Sequence, residues 1–113
     1  MSSTSATDLG VWFTPDALPS AEVAVFAKRV EELGYTKLWF GEAFGRDPFA
    51  QLSFLGQQTS TLGLATGIAN IYHRHPGVML QGANTVAEQI GGRVILGLGV
   101  SSPVVVSKMR GID

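Results

Sequence analysis

Apolar residues arrive along this chain in two alternating rhythms. Short continuous runs, Leu9 to Phe13, Thr36 to Gly41, Leu64 to Asn70 and Val94 to Val100, are separated by stretches in which apolar residues recur every third or fourth position. A run of roughly four to eight apolar residues broken by glycine fits a strand buried on both faces, whereas the wider spacing fits a helix with one buried side. Four strands and three helices follow. Helix one starts at Ser20, whose hydroxyl can cap the free amides, buries Val23, Phe26, Ala27, Val30 and Leu33, and ends at Gly34. Asp47 and Pro48 form a cap and first-turn proline for helix two, which runs to about Ser60 with Phe49, Leu52, Gly56 and Thr59 on one side. Pro76 opens helix three, with Met79, Ala83, Val86, Ala87 and Ile90 inward, and Gly91 and Gly92 close it.

Apolar strands alternating with one-sided helices signal right-handed βαβ units and a parallel sheet covered by helices. Equivalent positions past each strand, Thr14, Glu42, Asn70 and Ser101, lie 28, 28 and 31 residues apart, a supersecondary repeat without evident identity between units. Eight such units need roughly 240 residues, close to the size of a (β/α)8 barrel. The expected fold class is α/β, a partial (β/α)8 TIM barrel of about four parallel strands and three helices spanning residues 8–113, behind a disordered segment 1–7. A doubly wound, flavodoxin-like sheet obeys the same alternation and is the structural alternative. Asp113 falls where a fourth helix is expected to begin. The open edges of strands one and four predict a homo-oligomer formed through them or through the helices.

Composition narrows the partners. With 45% hydrophobic and 15% charged residues the chain is globular rather than disordered. Eight basic against nine acidic residues leave a net charge of -1, without the basic stripe that binds nucleic acid or an anionic membrane, so a small-molecule partner is expected. No cysteine is present, which removes disulfides, thiolate nucleophiles and cysteine-ligated metals, so any redox chemistry needs a bound cofactor. Residues Met1 to Thr7 lack the basic start and apolar core of a signal peptide, and no run reaches membrane-spanning length; a cytoplasmic location is expected.

Candidate chemistry gathers after the strands. From Leu64 to Pro76 an apolar run opens into a loop carrying Asn70, Tyr72, His73, Arg74 and His75. Two histidines one residue apart, with no cysteine or nearby acid pair, are a poor zinc set, and no metal is expected. Arg74-His75-Pro76 instead fixes the entry to helix three, with Arg74 in an ion pair. Glu42 stands at the C-terminal end of strand two, the face where barrels place chemistry, and either contacts a cofactor or substrate or pairs with Arg46. Asn70 either bonds a cofactor or caps a turn. Gly97-Leu-Gly99 is no dinucleotide fingerprint, because Ser102 occupies the third glycine position and the motif does not open the first βα turn.

Four stretches carry a resemblance: Leu9-Gly-Val-Trp-Phe13, Leu38-Trp-Phe-Gly-Glu42 with Gly45-Arg-Asp47, Gly67-Ile-Ala-Asn-Ile-Tyr-His-Arg-His-Pro76, and Gly91-Gly-Arg-Val-Ile-Leu-Gly-Leu-Gly-Val-Ser101. In this order and spacing they resemble the bacterial luciferase-like family, and within it the oxidoreductases dependent on the deazaflavin coenzyme F420. The match runs from about Leu9 to the end and covers the N-terminal third to half of a typical member. The resemblance implies a (β/α)8 barrel that passes hydride between F420 and a small organic substrate. It also implies a non-prolyl cis peptide at Gly67 to Ile68, forming a bulge against the ring. By the same resemblance Trp12, Gly67, Ile68, Asn70 and Ser101 bind the cofactor and Glu42 is the catalytic candidate. An FMN-dependent monooxygenase of the same superfamily is the alternative, and a non-catalytic half-barrel acting through oligomerisation is another. Alcohol-oxidising members use a histidine after the acidic residue and a glutamate on strand four; Ala43 and Ser101 stand there instead, which disfavours alcohol oxidation. The later segments that hold the cofactor tail in the family lie outside this chain, so weak cofactor binding is expected of it.

Overall fold

The computed structural model describes residues 8–112, so the expected frayed segment 1–7 lies outside the described residues. The elements in order are β1 (Gly10–Phe13), α1 (Ser20–Glu32), β2 (Lys37–Phe40), α2 (Pro48–Gln58), β3 (Gly63–Thr66), β4 (Ala69–Asn70), α3 (Pro76–Gln89), β5 (Val94–Ile95) and β6 (Leu98–Gly99). Strands β1, β2, β3 and β5 pair in parallel and in chain order, with Val11 opposite Leu38 and Leu38 opposite Leu64. A doubly wound sheet requires that order to reverse after the first crossover so that helices reach both faces. No reversal occurs, which overturns the flavodoxin-like alternative and leaves the winding of a (β/α) barrel.

Period-two alternation decides what each strand residue meets. Val11, Phe13, Leu38, Phe40 and Leu64 turn toward the helices and pack with Val23, Ala27 and Val30 of α1, Leu52 and Leu55 of α2, Val86 of α3 and Ile90 just past it. The Phe13 and Phe26 rings lie 4.3 Å apart between centroids, tilted. At Gly56 an added Cβ would overlap the Ile90 side chain, so glycine permits the close approach of α2 to the end of α3. Trp12, on the opposite side of β1, is 59% exposed.

Two helix starts follow their sequence signals and one does not. Asp47 accepts from the Ala50 N–H at 2.9 Å ahead of Pro48, as a capping aspartate does. The His75 Nδ1 accepts from the Gly77 N–H at 2.9 Å ahead of α3. Ser20 does not cap α1: the N-cap residue is Pro19, and the Ser20 hydroxyl accepts from Arg46 Nη1 at 2.9 Å. The third and fourth apolar runs, expected as single strands, are each split. The Thr66 hydroxyl sits between them, donating to the Gly97 carbonyl at 2.8 Å and accepting from its N–H at 2.9 Å, where a main-chain rung would otherwise stand. Beyond the break β4 and β6 pair separately, Asn70 opposite Gly99. Past β6 the chain turns through Ser101, at φ 60, into a short π-helical stretch over Val104–Met109.

Candidate functional site

Parallel register brings the predicted residues to one end of the sheet. With Phe40 opposite Thr66, the chain after β2 runs beside the chain after β3, and the Glu42 N–H donates to the Ile68 carbonyl at 3.0 Å. The Gly67–Ile68 peptide is cis. The Trp12 indole N–H donates to the Gly67 carbonyl at 2.7 Å, which fixes the ring while leaving it exposed. Glycines make this arrangement possible. A Cβ at Gly41 would lie 2.9 Å from Trp12 Cζ2, and one at Gly99 would lie 2.6 Å from Ile68 Cγ1. The result is a planar aromatic side chain beside a backbone bulge, at the C-terminal end of parallel strands.

Behind the bulge lies a charge cluster. The Glu42 side chain is 6% exposed and accepts from the Asn70 N–H at 2.8 Å, from both terminal nitrogens of Arg74, and from His73 Nδ1 at 3.2 Å. Burial pushes the Glu42 carboxyl upward, but the Arg74 hydrogen bonds, the Asn70 N–H, the His73 contact and the Arg74 charge together hold it below its ordinary value. It is therefore ionised at neutral pH. Arg74 is itself steadied over the Phe49 ring, 5.4 Å from its centroid, and reaches the Asn70 carbonyl at 3.4 Å. Of the two alternatives for Glu42, pairing with Arg46 is not found: Arg46 bonds the Leu18 carbonyl and the Ser20 hydroxyl, and the ion pair expected of Arg74 is the one made with Glu42. Sequence proximity favoured Arg46, whereas strand register favours residues after β3.

Asn70 is 1% exposed and its side-chain oxygen accepts from the Tyr72 N–H at 2.9 Å, the geometry of a turn cap. Ser101 is exposed and borders a hollow of about 270 Å³ with Tyr72 and Val106, whose walls do not include Trp12 or Gly67. Trp12, Gly67, Ile68, Asn70 and Glu42 thus come together, and Ser101 stands to one side. Sequence reasoning missed His73 as a Glu42 partner, having weighed it only as a metal ligand and as a neighbour of the helix entry. The acid two residues past β2, and a basic loop past the neighbouring strand, were the signal available. Among the described residues no group of three or more histidine and acidic side chains could hold a metal, and no helix is long and apolar enough to cross a membrane.

Sequential parallel winding, an exposed tryptophan at the strand ends and a cis peptide after the third strand now stand together in this chain. The chain belongs to the luciferase-like monooxygenase family, whose description matches residues 2–113. It is 34% identical over 103 residues to a putative coenzyme F420-dependent oxidoreductase of Mycobacterium tuberculosis, covering 91% of this chain and 29% of that protein. It superposes on the coenzyme F420-dependent tetrahydromethanopterin reductase of Methanopyrus kandleri with a TM-score of 0.83 at 27% identity, over 91% of this chain and 30% of that one. The oxygenating constituent of 3,6-diketocamphane monooxygenase from Pseudomonas putida, in complex with FMN, shares the fold at a TM-score of 0.81 and 20% identity, over 95% of this chain and 33% of that one. The chain therefore spans about 30% of the length of these relatives and corresponds to an arc of their barrel.

Proposed function

We propose that this chain contributes the ring-binding part of an F420-dependent oxidoreductase that exchanges hydride with a small organic substrate. The observation that carries the reading is the Trp12 ring, held by the Gly67 carbonyl yet 59% exposed, beside the Ile68 bulge where glycines keep side chains out of the way. A flat, fixed, apolar surface of this kind fits a planar tricyclic ring. When bound, F420 supplies the hydride donor or acceptor; the protein binds and orients it. Trp12, Gly67 and Ile68 would face the ring, Asn70 would shape the surface from beneath, and Ser101 would border it. Glu42 lies behind that surface with its oxygens engaged, so we assign it to holding the bulge rather than to moving a proton.

Affinity of this chain alone is expected to be weak. The arginines near this end are already engaged, Arg74 with Glu42, Arg46 with Leu18 and Ser20, and Arg110 with the Ala43 carbonyl, which leaves the anionic tail of the cofactor without a cradle among them. Titration with F420 and with FMN, read by tryptophan fluorescence, tests the assignment. Quenching by F420 that is lost in Trp12→Phe is expected. A preference for FMN transfers the reading to a flavin monooxygenase, and no quenching by either at about 1 mM, the millimolar limit of weak binding, sinks it.

A second reading, a half-barrel acting through association, is favoured by exposed apolar side chains at the outer strands: Leu9 beside β1 is 56% exposed, Ile95 of β5 37%, and Leu98 of β6, in the small second sheet, 53%. Sedimentation decides it, because a monomer over a wide concentration range is incompatible with edge pairing.

A further inference from the structure

Arg74 and His73 have no place in the reading above, yet both are largely buried and both aim at one carboxylate. Their side chains are 13% and 10% exposed. We propose that Arg74 and His73 are positioning residues, which act through the Glu42 carboxylate to set the Ile68–Asn70 backbone and, through it, the ring-binding surface. The inference rests on that surface being the cofactor's.

The connections form a closed path. Glu42 holds the bulge twice, by its N–H to the Ile68 carbonyl at 3.0 Å and by its carboxylate to the Asn70 N–H at 2.8 Å. Arg74 grips the same carboxylate with two nitrogens and also donates to the Asn70 carbonyl, so the peptide groups on either side of the Asn70 Cα are both held. A bidentate guanidinium fixes the plane of a carboxylate as a single ammonium does not. His73 supplies the remaining contact through Nδ1, while its buried Nε2 has no hydrogen-bond partner among the described residues. Leaving a buried polar nitrogen unmatched has a cost, which suits a ring placed for its other nitrogen. On the far side of the bulge the Gly67 carbonyl holds Trp12. Movement of Glu42 is thus transmitted through the 67–70 backbone to the indole N–H.

That last link supplies a readout which a purely structural role would not move. In ¹⁵N-labelled protein, with the indole peak assigned by Trp12→Phe, Arg74→Met is expected to shift both the Trp12 indole and the Asn70 amide resonances below the melting temperature. F420 affinity should fall on the order of ten- to a hundredfold, the scale of a misplacement near 1 Å. Arg74→Lys, with the charge but not the fork, should give a smaller shift of the same peaks. Arg93→Met, at the opposite end of the sheet, serves as control: it lowers the melting temperature and leaves both resonances in place. Folded Arg74→Met with unmoved Trp12 and Asn70 peaks overturns the proposal. Should Arg74→Met fail to fold, Arg74→Lys and Glu42→Gln carry the same test, and unmoved peaks in both overturn it equally. If F420 does not bind the unmodified protein, the functional reading falls while the resonances still decide whether the clamp exists.

Discussion

At the N-terminal ends of the strands, charged side chains are satisfied by the main chain. The Glu31 carboxylate accepts from the N–H groups of Ser60, Thr61 and Leu62 at 3.0, 2.7 and 2.8 Å, while the Arg93 guanidinium donates to the carbonyls of Gly56 and Leu62, each at 2.8 Å. Acid and base bracket the α2–β3 connection from two sides without meeting. Arg93 also complements the negative end of α2. At the C-terminal ends, Glu42 and Arg74 meet directly, and the backbone they hold carries an exposed tryptophan. One end is closed by neutral partners. The other keeps its charges for each other, under a surface that remains available. Barrels place stability at the first face and chemistry at the second, and the proposed ring surface lies at the second within this arc.

Substitutions that break the two arrangements should differ in kind as well as size. The largest loss is expected from Arg74→Met, which leaves the Glu42 charge buried without its main partner; urea unfolding should show about 3–5 kcal/mol less stability. Arg93→Met comes next. It strips donors from carbonyls around Gly56, Thr59 and Leu62, and about 2–3 kcal/mol is expected, with cofactor quenching unchanged below the melting temperature. Glu31→Gln should cost about 1 kcal/mol at neutral pH, since the amide oxygen still accepts from part of the turn.

The same substitution tests the pH response. Burial pushes the Glu31 carboxyl up, but the N–H groups of Thr61, Leu62 and Ser60 and the Thr61 hydroxyl bring it below its ordinary 4.5. A depressed carboxyl contributes stability that is present above its unfolded value and is lost as pH falls through its folded one. The gap between the natural chain and Glu31→Gln should therefore shrink below about pH 4.5, which urea midpoints at neutral and acid pH will show. Trp12→Phe should have the smallest effect on stability, within about 1 kcal/mol for one partly exposed hydrogen bond, while removing F420 quenching.

Most of the architecture was legible because it rests on local signals. Continuous apolar runs marked the strands, and Asp47-Pro48 and His75-Pro76 marked two helix starts at the right residues. The repeat between strand ends predicted the winding, and the resemblance placed the cis bond at Gly67 to Ile68. What the sequence hid depends on partners chosen across the sheet. Ser20 has the chemistry of a cap, yet Arg46 claims its hydroxyl. For Glu42 the only ion-pair partner weighed was Arg46, because distance along the chain stood in for distance across parallel strands. Splitting of the third and fourth strands turns on one hydroxyl between two backbones, and no apolar pattern encodes that. Neither Arg93 nor Glu31 stands in a motif that marks its role, which emerges only once the α2–β3 turn lies between them.

Thr66 and Gly97 finally behave as a single unit written in two places. The hydroxyl fills both roles of a missing rung, and it can do so only because residue 97 has no side chain: a Cβ there would overlap the Thr66 carbonyl. Anyone recombining barrel segments from different relatives would have to inherit the two positions together. A crossover between them that paired Thr66 with a bulkier residue, or Gly97 with valine, would deliver two sound halves that no longer join.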